Sequence, residues 1–212
     1  MLTKITSMRR VLTAIVSAIL LNGCEFTPKL NMTHKSTFEL YTKICNQQHT
    51  HRKNPQYPTE NASGLFTLNN WGINFVGNLY DFLQDDENIK KISEGIELSV
   101  KEGVEHSGYA DVKNGNIELV ISDEKNTDKH TTTILPLKPI IGMFHYHAWN
   151  ENCTDYAGPS GGPGNTDLNN DAIKQGMPGI VITKLKGKKF NVDAYFGSIS
   201  PPIVIDLGNY EY

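Results

Sequence analysis

Residues 139–149 read Pro-Ile-Ile-Gly-Met-Phe-His-Tyr-His-Ala-Trp, an apolar run that ends in two histidines one residue apart. Such a run predicts a strand from about residue 140 to residue 147. Side chains alternate between the faces of a strand, so we expect His145 and His147 on one face and Phe144 and Tyr146 on the other. The stretch therefore predicts a sheet with one apolar face and one face that carries paired imidazoles.

The rest of the chain divides into predicted helices followed by predicted strands. In chain order, the predicted elements are helices at 36–47, 70–84 and 86–103, strands at 105–112, 117–122, 131–135 and 140–147, a helix at 167–175, and strands at 179–184, 190–196 and 203–205. Asn114-Gly115 predicts a tight hairpin between the first two strands, and Gly103 predicts the end of the third helix. Helices first, and then strands with one interposed helix, indicate a layered α/β domain with a mixed sheet.

The first 23 residues have the pattern of a signal peptide. A basic start precedes an apolar run at 11–21, which is too short to span a bilayer. The run ends in Leu-Leu-Asn-Gly-Cys, which resembles a bacterial lipobox with Cys24 as the lipidated residue. An ordinary signal peptide that contains a cysteine is the alternative. We expect a lipid-anchored protein of the cell envelope that faces the periplasm or the cell surface. Because Glu25 follows the cysteine, the outer membrane is favoured over the inner membrane.

Length and composition are those of one domain with a full core. We assign residues 1–23 to the signal peptide, 24–64 to a tether and N-terminal extension, and 65–212 to the main domain. The net charge of -3 is near balance, so nothing indicates a nucleic-acid partner.

Cys45 and Cys153 are an even pair in a compartment that permits disulfides, and we expect them to be bonded, with two unrelated thiols as the alternative.

A metal site is predicted from His145, His147 and Asp167, which follows a glycine-rich loop at the start of the predicted helix. Two imidazoles, one carboxylate and an open position for water describe a catalytic zinc site rather than a closed structural one. Asp171, four residues further on, is the alternative third ligand. A second His-x-His, beginning at His49, is interpreted as not ligating, because no apolar strand leads into it and two basic residues follow it.

Hydrolysis at such a site also needs a carboxylate that does not bind the metal and that handles protons. Glu105 is the best placed candidate because it opens the first predicted strand. Glu102 is the alternative if that strand begins earlier.

The order of these residues resembles the JAMM (JAB/MPN) metalloprotease superfamily, and more closely its divergent bacterial branch of secreted and toxin-associated proteins. The resemblance covers roughly residues 70–198 and includes the Gly-Met-Pro-Gly-Ile-Val-Ile-Thr stretch at 176–183. It implies a cytidine-deaminase-like fold with a mixed, curved sheet flanked by helices, and a Zn²⁺-dependent peptidase or isopeptidase activity. By this resemblance, Glu105 is the general acid/base and the zinc ligands are His145, His147 and Asp167.

Two positions depart from the family pattern. Ala148 stands where the family has proline, and Gly164 stands where it has a serine that donates to the developing oxyanion. Ser160, Thr166 or a backbone N–H of the glycine-rich loop are the candidate replacements, none of them in register. Because loss of one such donor costs about 10²–10³ in rate, the alternative function is a catalytically degenerate lipoprotein that acts as a binding or immunity-type module. The peptide or protein substrate is not specified by the sequence.

Overall fold

The computed structural model describes residues 29–48, 62–122, 136, 139–147 and 165–212. Its elements are α1 (Thr37–Cys45), a 3₁₀ turn (Ser63–Thr67), α2 (Asn70–Phe82), α3 (Asp86–Glu102), β1 (Ser107–Lys113), β2 (Asn116–Ser122), β3 (Gly142–His147), α4 (Asn165–Leu168), α5 (Asp171–Lys174), β4 (Gly179–Leu185), β5 (Lys189–Phe196) and β6 (Ile203–Glu211). The predicted α/β class is confirmed, and α1 to α3 precede every strand that the structure describes.

The described strands form one six-stranded sheet in the order β2-β1-β3-β4-β5-β6. Strands β3 and β4 are parallel, whereas every other neighbouring pair is antiparallel, so the predicted mixed sheet is confirmed. The β1–β2 hairpin turns at Asn114 and Gly115, whose φ angles of 54° and 81° are both left-handed. Asn-Gly is the dipeptide that adopts this turn most readily, which explains why the hairpin could be predicted.

Helices α1 to α3 cover one face of the sheet. Their apolar side chains share one buried cluster with Phe144 and Tyr146 of β3 and with alternate residues of β4, β5 and β6. Gly95 allows α3 to lie close to β3, because a Cβ atom at this position would overlap the Tyr146 hydroxyl. The opposite face has a smaller cluster, formed by Leu168, Ile173, Val181, Tyr195 and Val204. The alternation predicted for β3 therefore holds, and the two histidines lie on the face that α1 to α3 leave uncovered.

Polar side chains and glycine set the ends of the helices. Asp85 accepts hydrogen bonds from the backbone N–H groups of Glu87 and Asn88 at the start of α3. Gly103 ends α3 with a left-handed φ of 67°, as predicted. Ser36 caps α1 in the same way as Asp85 caps α3, by accepting from the N–H of Glu39.

Two of the predicted elements differ from the observed ones, and a third lies outside the described residues. The single helix predicted at 167–175 is wrong: α4 and α5 are separate because Asn170 adopts an extended ψ of 135° and caps α5 by accepting from the Ala172 N–H. The strand predicted at 203–205 continues to Glu211, with a register shift opposite Val192/Asp193 that is accommodated by the left-handed Gly208. The strand predicted at 131–135 lies outside the described residues.

The segment before α1 is attached to the domain. The backbone N–H of Asn31 donates to the Gly115 carbonyl at 2.8 Å, and Asn78 Nδ2 donates to the Asn31 carbonyl at 2.7 Å. Leu40 and Ile44 of α1 are fully buried in the main cluster. The core is thus continuous across residue 65, where we place the start of the main domain. Within the described residues, no helix combines the length and the apolar character needed to cross a bilayer.

Candidate metal centre

The register of the sheet brings the first residues of the site together. Ser107 of β1 lies opposite His145 of β3, so the same antiparallel register, extended back by two residues, places Glu105 opposite His147. The Tyr146 N–H donates to the His106 carbonyl at 2.9 Å, which holds the two chains together at this point. Glu105, His145 and His147 therefore share one face of the sheet because of strand alternation alone.

The imidazoles and the Asp167 carboxylate converge. His145 Nε2 lies 3.0 Å from His147 Nε2, and Asp167 Oδ2 lies 3.5 Å from the first and 4.0 Å from the second. Glu105 Oε1 lies 3.9 Å from His147 Nε2. The exposed fractions of the side chains are 11% for each histidine, 12% for Glu105 and 22% for Asp167. Four titratable groups thus meet in a largely buried position.

These donor atoms are spaced closely enough to be ligands of one metal ion. Zinc holds nitrogen and oxygen ligands at about 2.0–2.1 Å in a tetrahedron, so ligand atoms around it are about 3.3 Å apart. The separations of 3.0, 3.5 and 4.0 Å lie around this value. Two imidazole nitrogens and one carboxylate oxygen are also the ligand types of catalytic zinc sites, and three ligands leave a fourth position for water. His145, His147 and Asp167 are accordingly the residues that could hold a metal.

Burial and neighbouring charge alter the acid–base properties of the site. Loss of solvent raises the pKa of Glu105 from the ordinary 4.5 to about 7; His145 acts in the opposite direction, and the Asp167 charge adds to the increase. Burial disfavours the charged form of His145, but the Asp167 carboxylate outweighs this effect and the pKa of His145 is raised overall. Without a cation, Glu105 and His145 thus both hold their protons to a higher pH than they would in water.

The alternatives for the acidic residues can be compared directly. Asp171 is the exposed first residue of α5 and does not belong to the group of converging ligand atoms, which contains Asp167. Glu102 Oε2 lies 3.0 Å from His106 Nε2. By strand alternation, His106 points to the helix-covered face, away from the two imidazoles. The geometry therefore favours Asp167 over Asp171 and Glu105 over Glu102.

Of the other predicted residues, the structure describes two. Thr166 lies within α4, next to Asp167, and Cys45 is the exposed last residue of α1. The residues outside are Cys24, His49, His51, Cys153 and Ser160. The lipid anchor, the Cys45–Cys153 disulfide and the replacement oxyanion donors remain predictions.

Two residues beside the histidines were not singled out from the sequence. Ser107 lies opposite His145, and Thr183 of β4 lies beside His147; both are buried on the face that carries the imidazoles. No local pattern marks them, because each becomes a neighbour of a histidine only through pairing with another strand. The alternation of apolar and polar residues that identifies a half-buried strand is weak in β4, where six of seven residues are buried.

Comparison with models of known protein families, with curated proteins and with solved structures finds no match.

Proposed function

We propose that this chain is a membrane-tethered, zinc-dependent hydrolase of a peptide or isopeptide bond, with a JAB/MPN-like arrangement of its layers. The observation that supports the proposal is the grouping of His145, His147 and Asp167, whose ligand atoms all lie within 4.8 Å of one another, with the Glu105 carboxylate beside them. A catalytic zinc centre and its proton-transferring carboxylate need this combination.

Each side chain has a distinct role in this proposal. His145, His147 and Asp167 would hold Zn²⁺, which when bound supplies a Lewis acid that polarises a carbonyl and makes water more acidic. Glu105 accepts one proton from the attacking water at a carboxylate oxygen. As the C–O bond forms and the C–N bond breaks, Glu105 returns that proton to the departing nitrogen, so the products are a carboxylic acid and an amine. Glu105 is placed for both transfers because its carboxylate lies beside the ligands without being one of them.

A binding or immunity-type module is the second candidate, and the sequence observation that favours it is the departure at Ala148 and Gly164. Such a module keeps the fold and recognises a partner without turnover. The two candidates differ in what happens when Glu105 is changed. In an enzyme, loss of this carboxylate abolishes hydrolysis. In a degenerate module that binds its partner on a surface away from the site, the same change leaves partner binding unaffected.

The test has two stages. Zinc binding to the purified protein is first measured by isothermal titration calorimetry and elemental analysis, with the His145→Ala/His147→Ala double variant as the negative case. His106→Ala, which removes a histidine from the opposite face, is the matched control and is expected to keep full zinc content. A folded wild-type protein that binds no zinc would count against the enzyme.

Hydrolysis is then assayed with the zinc-loaded protein on a peptide library derived from cell-envelope proteins, with cleavage products identified by mass spectrometry. Glu105→Gln is expected to retain zinc and to lose cleavage by at least about 10²-fold, since general acid–base catalysis contributes about 10²–10⁴. Equal product formation by wild type and Glu105→Gln would refute the assigned role of this residue.

A further inference from the structure

Asp167 lies in a helix that is too short to be stable without contacts to the rest of the protein. Helix α4 has four residues, Asn165–Leu168, and a single turn is unstable in water without tertiary contacts. Asp167 nevertheless lies 3.5 Å from His145. Whatever holds this turn against the sheet must therefore also set the distance between the third ligand and the imidazoles.

The residue after Asp167 provides the first attachment. Leu168 is only 4% exposed and belongs to the small cluster on this face of the sheet, together with Ile173, Val181 and Tyr195. Val181 of β4 is the direct neighbour of His145 in β3. The turn thus packs against β4, the strand that pairs with β3 at His145.

The second attachment is a close backbone contact at Gly197, directly after β5. A Cβ atom on Gly197 would lie 3.0 Å from the Leu168 carbonyl oxygen and 2.7 Å from Ile173 Cγ2. The separation from Ile173 is shorter than real Cβ atoms show, and the separation from the Leu168 carbonyl oxygen is tight enough that this backbone atom must move by a few tenths of an ångström. The φ angle of Gly197 lies outside the left-handed region, so an alanine could adopt the backbone conformation, and crowding would be its main effect.

We propose that Gly197 is a positioning residue for the metal centre: its lack of a side chain lets the Asp167–Leu168 turn approach β5 closely enough for the carboxylate to reach His145. This inference rests on the proposed zinc site. Metal–ligand distances tolerate deviations of about 0.2 Å. A methyl group at Gly197 pushes the turn away by more than this, and Asp167 then binds the ion poorly or not at all, while His145 and His147 remain in place.

Zinc affinity of Gly197→Ala, measured by calorimetry, tests the inference. We expect a loss of about 10–100-fold, the range seen when groups that orient metal ligands are removed. Gly77→Ala is the matched control, since its Cβ atom would meet His34 at 2.8 Å but lies in α2, on the helix-covered face. We expect this variant to bind zinc as wild type does, even if its melting temperature changes.

A double-mutant cycle shows whether the effect passes through Asp167. In an Asp167→Asn background, Gly197→Ala should cause no further loss of zinc affinity, and the Co²⁺ absorption spectra of the two single variants should show the same change in coordination. A purely structural role of Gly197 predicts additive losses instead. Leu168→Ala, which removes the other attachment without adding volume, should reproduce the loss if Gly197→Ala does not fold.

The outcomes separate the inference from the function on which it rests. Wild type that binds no zinc overturns the metal centre, and with it this inference. Wild type that binds zinc, with unchanged affinity in folded Gly197→Ala or Leu168→Ala, overturns the positioning role and leaves the metal centre standing.

Discussion

Replacing Glu105 by glutamine should stabilise the metal-free protein at alkaline pH. The pKa of this carboxyl group is raised from 4.5 to about 7, chiefly by burial, so the folded state holds its proton more tightly than the unfolded state does. Stability associated with this proton is fully present below about pH 4.5 and is lost as the pH rises to about 7. Glutamine has the same shape and stays neutral, so it does not suffer this loss.

The size of the effect follows from the separation between the two pKa values. Each pH unit between them corresponds to about 1.4 kcal/mol, which gives at most about 3.5 kcal/mol above pH 7. For a domain of this length, 1 kcal/mol changes the melting temperature by about 2–4 °C, so the variant should melt roughly 10 °C higher at about pH 8.5. At about pH 4.5 the two proteins should have nearly equal stability, because Glu105 is then protonated and neutral in the folded wild type, as the glutamine amide is in the variant.

Urea denaturation with a chelator present, at several pH values between about 4.5 and 8.5, measures this difference. Glu94→Gln, an exposed change on α3, is the control and should leave stability unaltered at every pH. Bound zinc should remove most of the advantage of Glu105→Gln, because a nearby cation favours the carboxylate. A stability difference that is zero at high pH, or the same at every pH, would refute the assignment of Glu105 to a buried position beside Asp167.

Three further predictions concern the ligands and the sheet. Asp167→Asn should lower zinc affinity in calorimetry by more than the roughly 10–100-fold that loss of a group orienting a ligand costs, whereas Asp171→Asn should leave it unchanged; the reverse result would exchange the two residues in the site. Zinc at about 100 times its dissociation constant should stabilise wild type by about 2.7 kcal/mol in urea denaturation and should not stabilise His145→Ala, so equal stabilisation of both proteins contradicts the ligand assignment. Gly95→Ala should destabilise the fold by about 1–3 kcal/mol through overpacking against Tyr146, and an unchanged urea midpoint would show that this contact relaxes freely.

Local patterns were sufficient to predict the half of the site that lies on one strand. Apolar residues before His145 and alternation after it place both imidazoles on the same face, and this depends only on the two-residue period of a strand. The hairpin at Asn114-Gly115 was equally predictable, since its turn requires two left-handed residues. These features are encoded within a few neighbouring residues, so the sequence is enough to recognise them.

The part that could not be predicted depends on contacts between distant residues. Periodicity suggested one helix from 167 to 175, yet Asn170 interrupts it by capping α5, and only the separate turn of α4 brings Asp167 to the histidines. The choice between Asp167 and Asp171 depends on that break. The close approach at Gly197 depends on a contact with Leu168, 29 positions earlier in the chain, and a lone glycine after a strand carries no sign of it.

The acid–base balance of the site bears on whether a cation belongs there. Two carboxylates, Glu105 and Asp167, and two imidazoles are buried together, and without a metal the pKa values of Glu105 and His145 both rise, so the site takes up protons. A cluster with only a structural role can be replaced by apolar residues at little cost or even with a gain in stability. A divalent cation supplies the positive charge that the protons otherwise provide, and it frees Glu105 to act as a base. The proposed metal would therefore give this buried group of charges a physical role, which the zinc-binding measurement tests.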